Sequence, residues 1–252
     1  MVGAFTTQMI PRSTTVKTSD GINIIFDHYK NSFGQLVVVA PGFYNSKDAL
    51  LLKDLAGALS VRYDVIVVDF RGHGKSGGLF HWTSKEYLDL LAVLESVRGQ
   101  YDKIGVIGFS LGAATAIITA SKTNLVNSIV AVSSPSEFKK IEYRLWELDI
   151  ENDIRYSLLS EGRIGKGVRP GPFWFPKEKP IDIIGDLKQP IFYIHGTNDW
   201  IVKPWHSEIL FEKTTVDKRL EIIQGGPHAE YLMRRHKEFM LGLIREWFNQ
   251  TL

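Results

Sequence analysis

Ser110 lies between two glycines in Gly108-Phe109-Ser110-Leu111-Gly112, after the apolar run 104–107 and before the Ala-rich run 113–116. A serine hydroxyl attacks a carbonyl carbon only when a base takes its proton, and that base needs a third group to orient it. Both are on offer downstream: Asp199 in Gly196-Thr197-Asn198-Asp199-Trp200, and His228 in Gly225-Gly226-Pro227-His228. Hydroxyl, carboxylate and imidazole together are the equipment of acyl transfer. A serine between glycines also fits a plain helix cap. The order strand, turn, helix favours the nucleophile, because a sharp bend exposes the hydroxyl and side chains at the flanking positions would collide there.

Of the other histidines, His195 still belongs to an expected strand and His236 sits in a basic helical run, while His73 and His81 flank a glycine-rich loop. His228 follows the last expected strand, at the carboxyl end where a parallel sheet presents its ligand-binding loops. Glu137 is the alternative acid, and Asp69 is expected to hold the 71–76 loop. Acyl transfer also needs N–H donors aimed at the developing oxyanion. The elbow supplies that of Leu111, and the loop Pro41-Gly42-Phe43-Tyr44 supplies that of Phe43. Tyr44 and the cluster Phe173-Trp174-Phe175 are the expected substrate-binding aromatics.

These residues need a scaffold. Two short strands, 14–17 and 22–28, meet at the turn Ser19-Asp20-Gly21, and apolar strands are expected at 35–40, 64–70, 104–108, 126–132, 190–195 and 219–223. Helical spacing falls at 48–60, 204–213 and 231–248, and Thr83 with Glu86 reads as a capping box opening a helix that runs to 98. Alternation of this kind predicts an α/β fold with a mostly parallel central sheet and helices on both faces. Between 135 and 180 the pattern changes to charged helical stretches, 138–150 and 153–159, and a Gly/Pro-rich loop. That segment reads as a small helical cap inserted between core segments 1–134 and 181–252.

With 252 residues, 44% of them hydrophobic and 23% charged, the chain suits one soluble α/β domain with an insertion. A net charge of +2 with no long basic run gives no reason to expect nucleic acid. The absence of cysteine removes thiolate catalysis, disulfides and Cys-based metal sites, and no His-x-x-x-His pair occurs, so neither metal nor cofactor is expected. No apolar run approaches the ~20 residues a membrane span needs, and residues 1–11 lack a secretory pattern, which makes a cytoplasmic location the expectation. Oligomeric state is left open.

The order Ser110, Asp199, His228 resembles the α/β-hydrolase family. So do the elbow, the 41–43 loop, the stretch Asp69-Phe70-Arg71-Gly72-His73-Gly74-Lys75-Ser76 and the insertion, so that the likeness extends over essentially the whole chain. The resemblance implies a serine hydrolase with a cap after the strand that follows the nucleophile helix, and oxyanion donors at Phe43 and Leu111. Pro41-Gly42 stands where many relatives have His-Gly, and Phe109 where His is frequent. Neither change removes a backbone donor, and both make the pocket more apolar. Serine at the elbow, in place of Asp, disfavours dehalogenase and epoxide hydrolase chemistry. The expected substrate is a small to medium, partly apolar or aromatic ester. Peptidase, thioesterase, lysophospholipase and carbon–carbon hydrolase chemistries use the same machinery, and a non-catalytic binding protein on the same fold is the alternative of a different class.

Overall fold

The computed structural model describes residues 10–141 and 159–252. Apolar, β-branched runs form strands β1 (Arg12–Lys17), β2 (Asn23–Tyr29), β3 (Gln35–Ala40), β4 (Asp64–Val68), β5 (Lys103–Phe109), β6 (Ser128–Val132), β7 (Ile191–Gly196) and β8 (Lys218–Ile223). They make one sheet in the order β1-β2-β4-β3-β5-β6-β7-β8. The β1/β2 and β2/β4 pairs are antiparallel and all others parallel.

Side chains alternate across a strand, so β3 sends Val37 and Val39 to one face and Leu36, Val38 and Ala40 to the other. The first face is covered by helices α1 (Leu50–Leu59) and α5 (Lys237–Thr251) through Leu52, Leu55, Leu59, Met240, Ile244 and Phe248. The second is covered by α2 (Glu86–Ser96), α3 (Leu111–Ala120) and α4 (Trp205–Lys213) through Leu90, Val93, Ala113, Ile117 and Leu210. Each such fully buried Leu, Ile or Phe contributes roughly 1.5–3 kcal/mol relative to exposure.

Register decides which loops meet. Ala40 pairs with Gly108, Phe109 with Val132, Val132 with Ile194, and Gly196 with Ile223. The carboxyl ends of β3, β5, β6, β7 and β8 therefore lie side by side, and the loops carrying Phe43, Ser110, Asp199 and His228 leave the sheet along one edge.

Two local expectations are corrected. The expected helix 231–248 is broken: residues Tyr231–Arg235 form one turn, His236 leaves helical geometry at φ −128, ψ 34, and α5 begins at Lys237. The short turn buries Leu232 and Met233 while α5 buries Met240, Leu241 and Ile244, and the kink lets each segment pack separately. The capping box does not form. Helix α2 begins at Glu86 itself, whose Oε1 accepts the His81 N–H at 2.7 Å, and Thr83 Oγ1 donates to the Trp82 carbonyl at 2.5 Å. Phe80 is buried just upstream, and its N–H donates to the Arg169 carbonyl at 2.9 Å, so tertiary contact folds this loop before the helix starts.

Of the expected cap helices, most of 138–150 and 153–159 lies outside the described residues. Phe138–Lys140 form a single 3-10 turn and Ser160–Arg163 a single α turn. Among the described residues no helix is long and apolar enough to cross a membrane, and no cluster of His, Asp and Glu could hold a metal ion.

Candidate active site

Ser110 closes β5 and opens α3 with φ 50 and ψ −112, a backbone conformation that an L-residue rarely adopts. Two tight approaches hold it there. A Cβ on Gly112 would lie 2.1 Å from the Ala40 carbonyl oxygen, and one on Gly108 would lie 2.4 Å from Ala113 Cα. Helix α3 can thus press against β3, and the serine N–H donates to the Val132 carbonyl at 2.8 Å. The side chain at the bend is partly exposed, while α3 behind it is buried throughout.

Asp199, after β7, is fully buried. Its Oδ1 accepts the N–H groups of Ile201 and Val202 at 3.0 and 2.8 Å, which fixes the plane of the carboxylate. Its Oδ2 accepts His228 Nδ1–H at 2.7 Å. Burial by itself pushes the Asp199 carboxyl up, but the charge of His228 and hydrogen bonds from His195 and His228 outweigh it, holding the group well below the ordinary carboxylate range.

His195 was not singled out from the sequence as a site residue. Its Nε2 is 2.7 Å from the Val202 carbonyl, which can only accept, so Nε2 carries the proton. The same nitrogen is 3.2 Å from Asp199 Oδ2, and Nδ1 is 2.7 Å from Ser207 Oγ. A second imidazole therefore braces the carboxylate from behind. A histidine closing a buried strand immediately before a turn acid was its only sequence signal.

The loop carrying His228 is pinned from three sides. The Ala229 N–H donates to Ser133 Oγ at 3.0 Å, the Asn198 N–H to the Gly226 carbonyl at 2.9 Å, and Glu230 Oε1 accepts the Gly42 N–H at 2.6 Å. Glu230 carries no sequence signal for this role, since it stands one residue before the expected helix 231–248. The other acids are engaged elsewhere. Glu137 pairs with Lys140 and Lys179 at 2.6 and 3.0 Å, and Asp69 accepts the N–H groups of Lys47 and Lys75 at 2.7 and 2.8 Å, tying the 71–76 loop to the 43–48 loop.

Ser110, Leu111, Phe43, Tyr44 and His228 all line one cavity of about 700 Å³, within the usual range for small-molecule sites. Among the described residues, neither the Phe43 nor the Leu111 N–H donates to another group. Phe43, Phe80 and Trp82 form one aromatic wall, with ring centroids 5.1 to 5.9 Å apart. Ser110, Tyr44 and Trp82, which all line the cavity, have positive φ, and such strain tends to collect at functional sites. The expected cap aromatics are not on the wall. Phe173 and Trp174 are 67% and 71% exposed, and Phe175 stacks on His81 at 5.4 Å. Phe80 and Trp82 line the cavity in their stead, as do Phe138 and Ile141.

Residues 37–240 match the model of the alpha/beta hydrolase family, and the chain belongs to that family. Among curated relatives, the uncharacterized protein YqkD of Bacillus subtilis is 26% identical over 193 residues, covering 71% of this chain and 60% of YqkD. The chain thus matches less than two thirds of that relative's length. Among solved structures, the Pyrococcus furiosus esterase Pf2001 superposes with a TM-score of 0.78 at 23% identity, covering 100% of this chain and 97% of the esterase. The esterase RhEst1 from Rhodococcus sp. ECU1013 superposes at 0.75 with 18% identity, covering 95% and 99%. At these identities the two structures share the fold.

Proposed function

We propose that the protein is a serine hydrolase that cleaves carboxylic esters of small to medium, partly apolar or aromatic molecules through an acyl-enzyme. The reading is carried by one observation: a serine held at a positive-φ elbow and a histidine bonded to a buried carboxylate open onto the same aromatic-walled cavity. With Nδ1–H committed to Asp199, Nε2 of His228 is the atom that takes the Ser110 proton as Oγ bonds to the ester carbonyl carbon. The carbonyl oxygen, now negative, is held by the N–H groups of Phe43 and Leu111. Collapse expels the alkoxide, which takes the proton from His228, and a water activated by the same imidazole then releases the acid. Among the described residues of the 135–180 segment, Pro135, Phe138, Ile141, Arg163 and Lys166 line the cavity, which supports reading that segment as a cap.

Short-chain para-nitrophenyl esters and a fluorophosphonate probe test this. The wild-type protein is expected to turn over the esters and to label, and Ser110→Ala to do neither, with turnover lower by about three orders of magnitude or more. Turnover that survives Ser110→Ala sinks the mechanism, and a protein that neither labels nor hydrolyses is a binding protein on this fold.

A further inference from the structure

The cavity carries more positive charge than an ester carbonyl requires. Arg163, Lys166 and Lys177 line it, against one carboxylate among the described residues, Glu230, which already accepts the Gly42 N–H. Lys177 is occupied, its Nζ donating to the carbonyls of Phe173 and Phe175 at 2.5 and 3.4 Å, and Arg163 is exposed. Lys166 is different, because the chain around it is built to hold it in place.

Lys166 is the middle residue of Gly165-Lys166-Gly167. Gly165 has φ 72 and sits so close to the 48–49 backbone that a Cβ there would lie 2.2 Å from the Ala49 nitrogen. The Gly167 N–H donates to the Tyr44 carbonyl at 3.0 Å. Both neighbours are therefore fixed to the same 43–49 loop that carries the proposed Phe43 oxyanion donor. The ammonium donates to Asn45 Oδ1 and lies 5.5 Å from the Tyr231 ring centroid, yet it has no carboxylate within 4.0 Å among the described residues. Burial lowers the Lys166 pKa, and Glu230 only partly offsets this. Asn45 also lines the cavity, and with Oδ1 used by Lys166 its amide NH2 has no hydrogen-bond acceptor among the described residues.

We infer that Lys166 and Asn45 form an anion subsite, and that the preferred substrate is an ester carrying a free carboxylate on its acyl portion, such as a half-ester of a dicarboxylic acid. An ammonium beside an amide NH2 offers a carboxylate one charge-assisted and one neutral hydrogen bond, and a partly desolvated lysine with no carboxylate in direct contact gains from receiving one. This deepens the proposed esterase reading and rests on it.

The test compares the para-nitrophenyl half-ester of adipic acid with the para-nitrophenyl ester of hexanoic acid, which match in length and differ in the terminal carboxylate. The wild-type kcat/KM ratio should favour the half-ester. Lys166→Met should lower that ratio roughly tenfold, and Lys166→Arg should restore part of it, since a hydrogen bond to a charged group is worth about one decade or more. A wild-type ratio at or below one, an unchanged ratio in Lys166→Met, or an equal fall on both esters overturns the subsite; the last would make Lys166 a latch between insertion and loop. A binding measurement separates this failure from failure of the hydrolase reading. Monomethyl adipate titrated calorimetrically into the Ser110→Ala variant should bind more tightly than methyl hexanoate, and the difference should vanish when Lys166→Met is added. No difference in the Ser110→Ala protein overturns the subsite, whatever the wild-type enzyme hydrolyses.

Discussion

Glu230 Oε1 accepts the backbone N–H of Gly42 at 2.6 Å, a buried hydrogen bond between residues 188 apart in sequence. It ties the loop of the proposed base to the loop of the proposed oxyanion donor. A Cβ on Gly42 would lie 2.8 Å from the same carboxylate oxygen, so the approach requires glycine. Removing the acceptor frees the Gly42 peptide to turn and spoils the aim of the next N–H, that of Phe43. Glu230→Ala is expected to lower kcat on neutral para-nitrophenyl esters about tenfold to a hundredfold, with KM changing less, and Glu230→Gln to keep more activity because its amide oxygen still accepts. Steady-state kinetics decide this, and a change confined to KM would count against it.

Asp199 fixes the tautomer of His228 through the 2.7 Å contact to Nδ1. Asp199→Asn presents the wrong group to that nitrogen and is expected to cost about three to four orders of magnitude in kcat. His195→Gln, which disturbs the brace behind the carboxylate, should cost far less. Single-turnover rates for the two variants check the ranking, and comparable losses would show that the brace is as important as the acid.

Arg71 is almost fully buried, and its Nε and Nη2 both donate to Asp89 Oδ1 at 2.8 and 2.7 Å, while its own N–H donates to Oδ2 at 2.8 Å. Its Nη1 reaches Asp20 Oδ2 at 2.8 Å. Deleting Asp89 leaves the buried guanidinium with only the partly exposed Asp20 as counter-ion and its Nε unpaired, so Asp89→Ala should destabilise the fold by about 3 kcal/mol. Urea denaturation measures it, and a loss below about 1 kcal/mol would contradict the account.

His73 and His206 are both buried, and desolvation pushes each imidazole down to about 4. In the unfolded chain each titrates near 6.5. Between those values the unfolded state binds more protons, so stability is full above pH ~6.5 and falls as pH drops toward ~4, by up to about 3 kcal/mol per histidine. Asp199, with its lowered pKa, adds its own loss only at still lower pH. His73 Nε2 accepts the Tyr44 N–H at 3.2 Å, and protonation there breaks a bond that supports the 43–45 loop. Urea midpoints at pH 7.5, 6 and 5 should decline in that order, and a flat profile would refute the assignment.

Local patterning is enough to specify the alternation of strands and helices, the elbow at Ser110 and the chain order of serine, acid and histidine. Apolar period and glycine spacing are properties of neighbouring residues, and steric collision at a bend such as 108–112 acts over the same short range. Where local pattern competed with long-range contact, contact won: the capping box at Thr83 and Glu86 gave way to a loop folded by Phe80 and Arg169, and the terminal helix kinked at His236 to serve two packing surfaces. Only the tertiary structure brings Glu230 to Gly42, 188 residues away, and Lys166 onto the 43–49 loop. It also puts Phe80 and Trp82 on the cavity wall and leaves Phe173 and Trp174 facing solvent. Those pairings depend on which strand ends become neighbours, a quantity set by the packing of the whole sheet and absent from any single stretch of residues.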